Sequence, residues 1–346
     1  MLFLLLAATV LLCGLTPLMA EDFELNSSEC GVSGSPHLIV NGTAARPGQF
    51  PWMVRLSMVV TEALELFCGG AIITKRHVLT AAHCLSNNKG EMATRGHVYY
   101  GSHDVKQAKM VEVEKMFPHL HFKRKPWTHD IAILLVKEPF QYSEYVRPLC
   151  LPTGKLDVLS KEVVAAGWGH MKPNGSAVKD LQYTNVKVVP GKMCGEYGEN
   201  WTESQMLCTF KPGSGVCNAD SGGPLFLPQP RGRYVQVGIA SFVAKPGCVI
   251  HPQVFTRVDV FMPWIKKHIG KHGAYVTEKT DTEITDGDGP AIPDHFTMES
   301  RVHPHAKHLV YPPFDRRSDL ASESRLHPHA KHLVYPPFDR RSDLAS

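Results

Sequence analysis

Residues 70–80 read Gly70-Ala71-Ile72-Ile73-Thr74-Lys75-Arg76-His77-Val78-Leu79-Thr80, a run rich in β-branched side chains that decides the fold class. Val, Ile and Thr lose little freedom on a pleated surface and pack well there, so such a run favours a strand. Comparable runs rich in Val, Ile, Phe and Tyr occur at 50–58, 131–136, 162–167 and 234–242, separated by Gly, Pro and Asn turns. Short strands at this spacing predict an all-β protein. Only residues 258–269 (VDVFMPWIKKHI) carry helical spacing. Phe261, Trp264, Ile265 and His268 can share a face there, which predicts a terminal helix packed on the β core.

The chain has 346 residues, 43% of them hydrophobic and 20% charged, which excludes a wholly disordered or collagen-like protein. A net charge of +4 is too small for this length to argue for nucleic acid. Beyond the first twenty residues no apolar run approaches the ~18 needed to span a bilayer. Residues 2–15 form an apolar run ending near Thr16, Pro17 and Ala20, expected to be a signal peptide over residues 1–20. A signal anchor is the competing reading, and the flanks lack its stop-transfer pattern.

Secretion sets an oxidising compartment. Of nine cysteines, Cys13 leaves with the signal peptide, and the remaining even set reads as four disulfides. Asn26, Asn41, Asn174 and Asn200 each open a glycosylation sequon, weak support for the same compartment. From 271 to 298 the chain is acidic and poor in apolar residues, as expected of a flexible linker. Residues 299–322 then repeat almost letter for letter as 323–346, differing only at Val302 against Leu326. Two copies of a polar, Pro- and His-rich segment are too few to stack, so this tail is expected to be disordered.

The chemistry is concentrated between the strands. His83 lies in Leu79-Thr80-Ala81-Ala82-His83-Cys84, Asp130 opens Asp130-Ile131-Ala132-Ile133-Leu134, and Ser221 sits in Asp220-Ser221-Gly222-Gly223-Pro224. A hydroxyl is a poor nucleophile at neutral pH. It needs an imidazole to take its proton and a carboxylate to fix the imidazole's tautomer and stabilise the imidazolium. Taken singly, His83 reads as a core histidine, Asp130 as a strand-start cap and Ser221 as a turn former. Their joint occurrence with flanking Gly and Cys favours the catalytic reading.

Over residues 39–270 the chain resembles the chymotrypsin-like serine proteases. The motifs are Ile39-Val40-Asn41-Gly42, Cys68-Gly69-Gly70, the His83, Asp130 and Ser221 segments, Gly167-Trp168-Gly169, Ser241-Phe242-Val243 and Pro263-Trp264-Ile265. The resemblance implies two six-stranded antiparallel β-barrels with the active site between them. It implies the pairings Cys68 with Cys84, Cys194 with Cys208, Cys217 with Cys248, and Cys30 with Cys150, the last tethering a propeptide at 21–38. It further implies a zymogen, in which cleavage after Leu38 frees the Ile39 amine to pair with Asp220 and shape an oxyanion hole from the N–H groups of Ala219 and Ser221. The family usually has Arg or Lys before the cut, so the expected activator is a protease that accepts Leu, or another copy of this enzyme.

The pocket residues matched by position are Gly215, Val216, Ser241, Phe242, Val243 and Gln253, with no carboxylate among them. A bound Arg or Lys would be an unpaired buried cation, so the expected preference is for small or medium aliphatic residues, as in elastases. A chymotrypsin-like preference is the alternative. Ala219 stands where the family has Gly, which leaves open a weakened homologue that binds without cutting. No acid cluster suited to calcium is legible, and the chemistry calls for no metal or cofactor. Protein substrates, the activating protease and protein inhibitors are the expected partners of a monomer. The tail carries His303, His305 and His308 and their repeats, with dibasic Arg316-Arg317 and Arg340-Arg341. Metal binding and peptide release are its alternatives to an unstructured extension.

Overall fold

The computed structural model describes residues 24–34, 43–169, 178–212, 220–243 and 251–270. The signal peptide, the Leu38–Ile39 junction, Asn41, Asn174, Gly215, Val216, Cys217, Ala219, Cys248, the acidic linker and the repeats lie outside the described residues.

An edge strand β1 (Thr43–Ala44) leads into β2 (Met53–Thr61), β3 (Leu64–Ile72), β4 (His77–Thr80), β5 (Arg95–Tyr100) and β6 (Lys109–Pro118). A small hairpin of β7 (Lys123–Arg124) and β8 (Trp127–Thr128) precedes β9 (Ala132–Val136). Then come β10 (Glu162–Gly167), β11 (Gln182–Val189), β12 (Met206–Phe210), β13 (Pro224–Pro228), β14 (Tyr234–Val243), β15 (Gln253–Arg257) and, the one α-helix among the described residues, α1 (Met262–Ile269). The first barrel closes in the order β2-β3-β4-β9-β6-β5. The second runs β11-β10-β13-β14-β15-β12 and closes through β11–β12, with β1 added at β11. Every pairing within the two barrels is antiparallel.

Alternation along β2 (MVRLSMVVT) puts Val54, Leu56 and Met58 inside the first barrel with Val78 and Leu134. Val163, Val186, Leu225, Val237 and Phe255 fill the second. A separate aromatic cluster is built from the turn leading into β2 and from β13: Phe226 lies 5.1 Å from Phe50 and 5.3 Å from Trp52, both edge-on.

The strand expected over 70–80 is two strands. Thr74 breaks it: its hydroxyl accepts the N–H groups of Arg76 and His77, and the His77 carbonyl accepts those of Ile73 and Thr74. The helix is also shorter than its apolar spacing predicts. Asp259–Phe261 form a 3₁₀ turn, and α1 begins at Met262 with Pro263 in its first turn, where a missing N–H costs nothing. Met262, Ile265 and Ile269 are its buried face, while Trp264 and His268 stay half-buried and pack on each other at 4.4 Å. The expected shared face is therefore rotated by part of a turn.

Residues 24–34 are bonded to the body of the second barrel and the segment that leads into it. Cys30 joins Cys150, Gly31 N–H donates to Pro148, and Tyr234 N–H donates to Gly31. Both ends of the Asn26 amide bond the main chain of Leu151, at 2.9 and 2.6 Å. Asn200 ends a 3₁₀ segment, Gly191–Asn200, and is half-buried. Cys68 joins Cys84 and Cys194 joins Cys208. Closing the shorter of these loops contributes about 3 kcal/mol in the chain-entropy account.

Candidate active site

His83 stands in a 3₁₀ turn, Ala82–Leu85, between β4 and the first barrel's return, and the Cys68–Cys84 disulfide pins that turn to β3. Asp130 lies just before β9, 1% exposed. Its Oδ1 accepts the His83 main-chain N–H at 2.9 Å and its Oδ2 faces His83 Nδ1 at 2.8 Å. An ionised carboxylate only accepts, so Nδ1 carries the proton and Nε2 keeps a free lone pair. Burial would by itself push the Asp130 pKa up. The His83 charge, together with hydrogen bonds from His83 and Ser241, outweighs it and holds the carboxyl below its ordinary value.

Two further donors converge on Oδ2. Ser241 Oγ donates at 2.6 Å and the Trp127 indole N–H at 3.1 Å, the latter also lying 2.9 Å from Ser241 Oγ. A β-bulge explains why Ser241 points there. Ala240 pairs with Phe255 and Phe242 with Val254, so Ser241 is the extra residue in β14 and turns toward Asp130. Thr256 Oγ1 donates to the Asp130 carbonyl at 2.9 Å, fixing the main chain as well.

Ser221 is brought to the same place through its main chain. Its carbonyl accepts Gly69 N–H at 2.8 Å, and Gly222 N–H donates to Ala240. Gly222 has φ +78, and a Cβ there would stand 2.3 Å from Thr80 Oγ1 and 3.0 Å from Cys84 Sγ. Only glycine allows this turn to press against the end of β4 and the disulfide beside His83. The Ser221 hydroxyl makes no hydrogen bond to His83 among the described residues. Asp220 is buried, and its Oδ1 accepts Gly169 N–H at 2.8 Å.

Val243 pairs with Gln253 across β14 and β15, so these two matched pocket residues are neighbours. Phe242 packs edge-on against Tyr197 at 5.3 Å and against Trp127 at 5.4 Å. His83, Asp130, Ser241, Phe242 and Trp127 thus gather where the two barrels meet. The family model described as Trypsin matches residues 39–265. The chain belongs to the trypsin family.

Among the proteins of this family it resembles, the Tachypleus tridentatus proclotting enzyme is 30% identical over 257 residues, 69% of this chain and 68% of that one. Chymotrypsin-2 of Vespa crabro is 36% identical over 232 residues, covering 66% and 99%. Mouse chymotrypsin-C is 32% identical over 255 residues, covering 70% and 94%. The solved HL collagenase structure superposes with a TM-score of 0.60 at 28% identity, covering 68% of this chain and all of that one. The protein is a serine endopeptidase, and both expected barrels are present. Among the described residues, no helix is long and apolar enough to cross a membrane.

Sequence reasoning missed two contributors to this trypsin-family site. One is Trp127, whose sequence signal is a Trp three residues before a motif aspartate in a polar hairpin. Arg124 caps the histidine's turn, donating to the carbonyls of His83 at 3.2 Å and Ser86 at 2.7 Å. Ser241, read as a pocket residue, also supports the aspartate.

Proposed function

We propose that this chain is a secreted zymogen whose activated form cleaves proteins after small or medium aliphatic residues. The observation that carries the reading is the buried Asp130 carboxylate, whose bonds leave His83 Nε2 free to accept a proton. In this mechanism His83 Nε2 takes the Ser221 hydroxyl proton as Oγ attacks the scissile carbonyl. The tetrahedral oxyanion is held by the N–H groups of Ala219 and Ser221. On collapse, His83 gives its proton to the leaving amine, and Ser221 is left as an acyl ester. Water, deprotonated by the same imidazole, then releases the acid.

Cleavage after Leu38 would supply the Ile39 amine as partner for Asp220. The Cys30–Cys150 disulfide would keep the propeptide attached, so the activated enzyme would run as two chains only after reduction. Val243, half-buried beside Gln253, narrows the pocket, and no matched pocket residue is acidic. Chymotrypsin-like preference for aromatic rings is the second reading, favoured by the similarity to chymotrypsin-2 and chymotrypsin-C.

The test is to express the full chain, map the activating cut by N-terminal sequencing, and profile the activated enzyme on a peptide library. Val, Ala, Ile or Leu before the scissile bond should exceed Arg and Lys by at least ~10²-fold, since an unpaired buried cation costs several kcal/mol. Ser221→Ala should abolish turnover with the melting curve unchanged. A profile led by Arg, or hydrolysis surviving in Ser221→Ala, would overturn the assignment.

A further inference from the structure

Three histidines gather beside Asp130 and Ile131. His119 and His121 follow β6, His129 ends the hairpin β7–β8, and one nitrogen from each lies within 4.8 Å of the other two. The rings of His119 and His129 stack at 4.7 Å, and the His121 ring stands perpendicular to His129 at 5.6 Å. Phe261 from the 3₁₀ turn and Trp264 from α1 back the cluster, 5.6 and 5.2 Å from His119. Main-chain bonds hold the frame: His119 N–H donates to Ile131, Phe122 N–H to His119, and Ile131 N–H to His129.

His129 sits at φ +54, a left-handed conformation that histidine adopts more readily than most residues. One feature of His129 is costly if the cluster is only packing. Its Nδ1 is buried and makes no hydrogen bond. Such an atom calls for a partner absent from the chain itself. The other cysteine-and-histidine group near the active site offers no rival, because Cys68 and Cys84 are joined in a disulfide.

We propose that His119, His121 and His129 bind one divalent transition-metal ion of the zinc class, with water in the fourth position. Neutral imidazoles suit Zn²⁺ at about 2.0–2.1 Å, which puts tetrahedral ligand nitrogens about 3.3 Å apart. His121 is exposed, and its side-chain rotation supplies the closure. His119 accepts only a long 3.2 Å bond at Nδ1, from His121 N–H, which coordination displaces.

Gln205 completes the arrangement around His129. Its Oε1 accepts the His129 main-chain N–H at 3.0 Å, and its amide lies 3.3 Å from His129 Nε2. When Nδ1 binds the metal, Nε2 carries the proton, and a small turn of the amide lets the same Oε1 accept it. A metal-bound histidine with its other N–H held by an oxygen is the usual arrangement in such sites.

The test uses the full chain with Ser221→Ala to prevent autolysis, and with alanine at His303, His305, His308, His327, His329 and His332 to silence the tail. Zinc titrated calorimetrically should bind with a stoichiometry of one, and the melting midpoint should rise with zinc concentration, as for any ligand of the folded state. His119→Ala should remove both effects. His121→Ala, at an exposed position that the fold does not depend on, should weaken binding at least ~10-fold. Undiminished zinc affinity in His121→Ala, or a midpoint insensitive to millimolar zinc in the parent, would overturn the proposal.

Discussion

The indole N–H of Trp127 points at the same Asp130 oxygen that faces His83, 3.1 Å away, and at Ser241 Oγ, 2.9 Å away. Oδ2 therefore receives Trp127, Ser241 and His83 together, and the ring of Trp127 lies 5.7 Å from that of His83. Trp127→Phe keeps most of the ring and removes the donor. A hydrogen bond to a charged group is worth about 1.5–3 kcal/mol, and water access at this half-buried position reduces that to about 1 kcal/mol. The expected result is a fall of about fivefold in kcat with KM little changed. If KM alone moves, Trp127 only lines the substrate cleft.

Gly167 and Asp220 approach so closely that a Cβ on Gly167 would stand 1.8 Å from the Asp220 carboxylate oxygen. Gly167→Ala must displace that carboxylate, and with it the main chain leading into Ser221. Turnover should fall by about 10²-fold, comparable with loss of an oxyanion donor. Thermal melting alongside the kinetics separates this from unfolding, since overpacking of this kind costs about 1–3 kcal/mol. Activity within twofold of the parent would show that Asp220 can move without consequence.

What was legible in the sequence follows from how far each contact reaches along the chain. The strand at residues 162–167 is read with its observed ends because one side chain after another is β-branched or small and a Gly-Trp-Gly turn follows. The run at 70–80 misleads because Thr74 looks like a strand residue, and only its bonds to Arg76 and His77 show a turn. β6 (KMVEVEKMFP) is hard to see in the sequence because its alternation is interrupted by a register shift between Val113 and Lys115 and its Met110 is exposed. The Ser241 bulge and the Trp127 contact link residues 111 and 114 positions apart, and no local pattern encodes them. The unpartnered Nδ1 of His129 likewise appears only when the hairpin β7–β8 and Gln205 are seen together.

Asp259 ties the start of the C-terminal turns to β15. Its carboxylate accepts Arg257 Nε at 2.9 Å, Arg257 Nη2 at 2.6 Å and Leu156 N–H at 3.2 Å. Burial alone would raise its pKa, but these bonds and the Arg257 charge bring it below the ordinary value. A carboxyl whose folded pKa is lowered stabilises the fold above its unfolded pKa, about 4, and loses that contribution as pH falls through the folded value. Asp259→Asn should cost about 1–2 kcal/mol at neutral pH. The gap between parent and variant should shrink on acidification below about pH 4, as read by denaturant melts. A gap constant with pH would mean that the charge contributes nothing.

Val243 is the residue through which the two specificity readings can be separated. It is half-buried, its main chain pairs with Gln253, and the ring of Phe242 beside it is held by Tyr197 and Trp127. Removing its side chain opens the pocket wall without changing a charge or a hydrogen bond. If Val243 makes the pocket narrow, Val243→Gly should raise kcat/KM for Phe or Tyr before the scissile bond, relative to Val, by about 10- to 200-fold. That range corresponds to about 1–3 kcal/mol of relieved misfit. The glycine also loosens the end of β14, so both absolute rates should fall slightly, and the ratio is the quantity that decides. A parent enzyme already preferring Phe, with a ratio unmoved in Val243→Gly, would favour the chymotrypsin-like reading and place the narrowing elsewhere in the pocket.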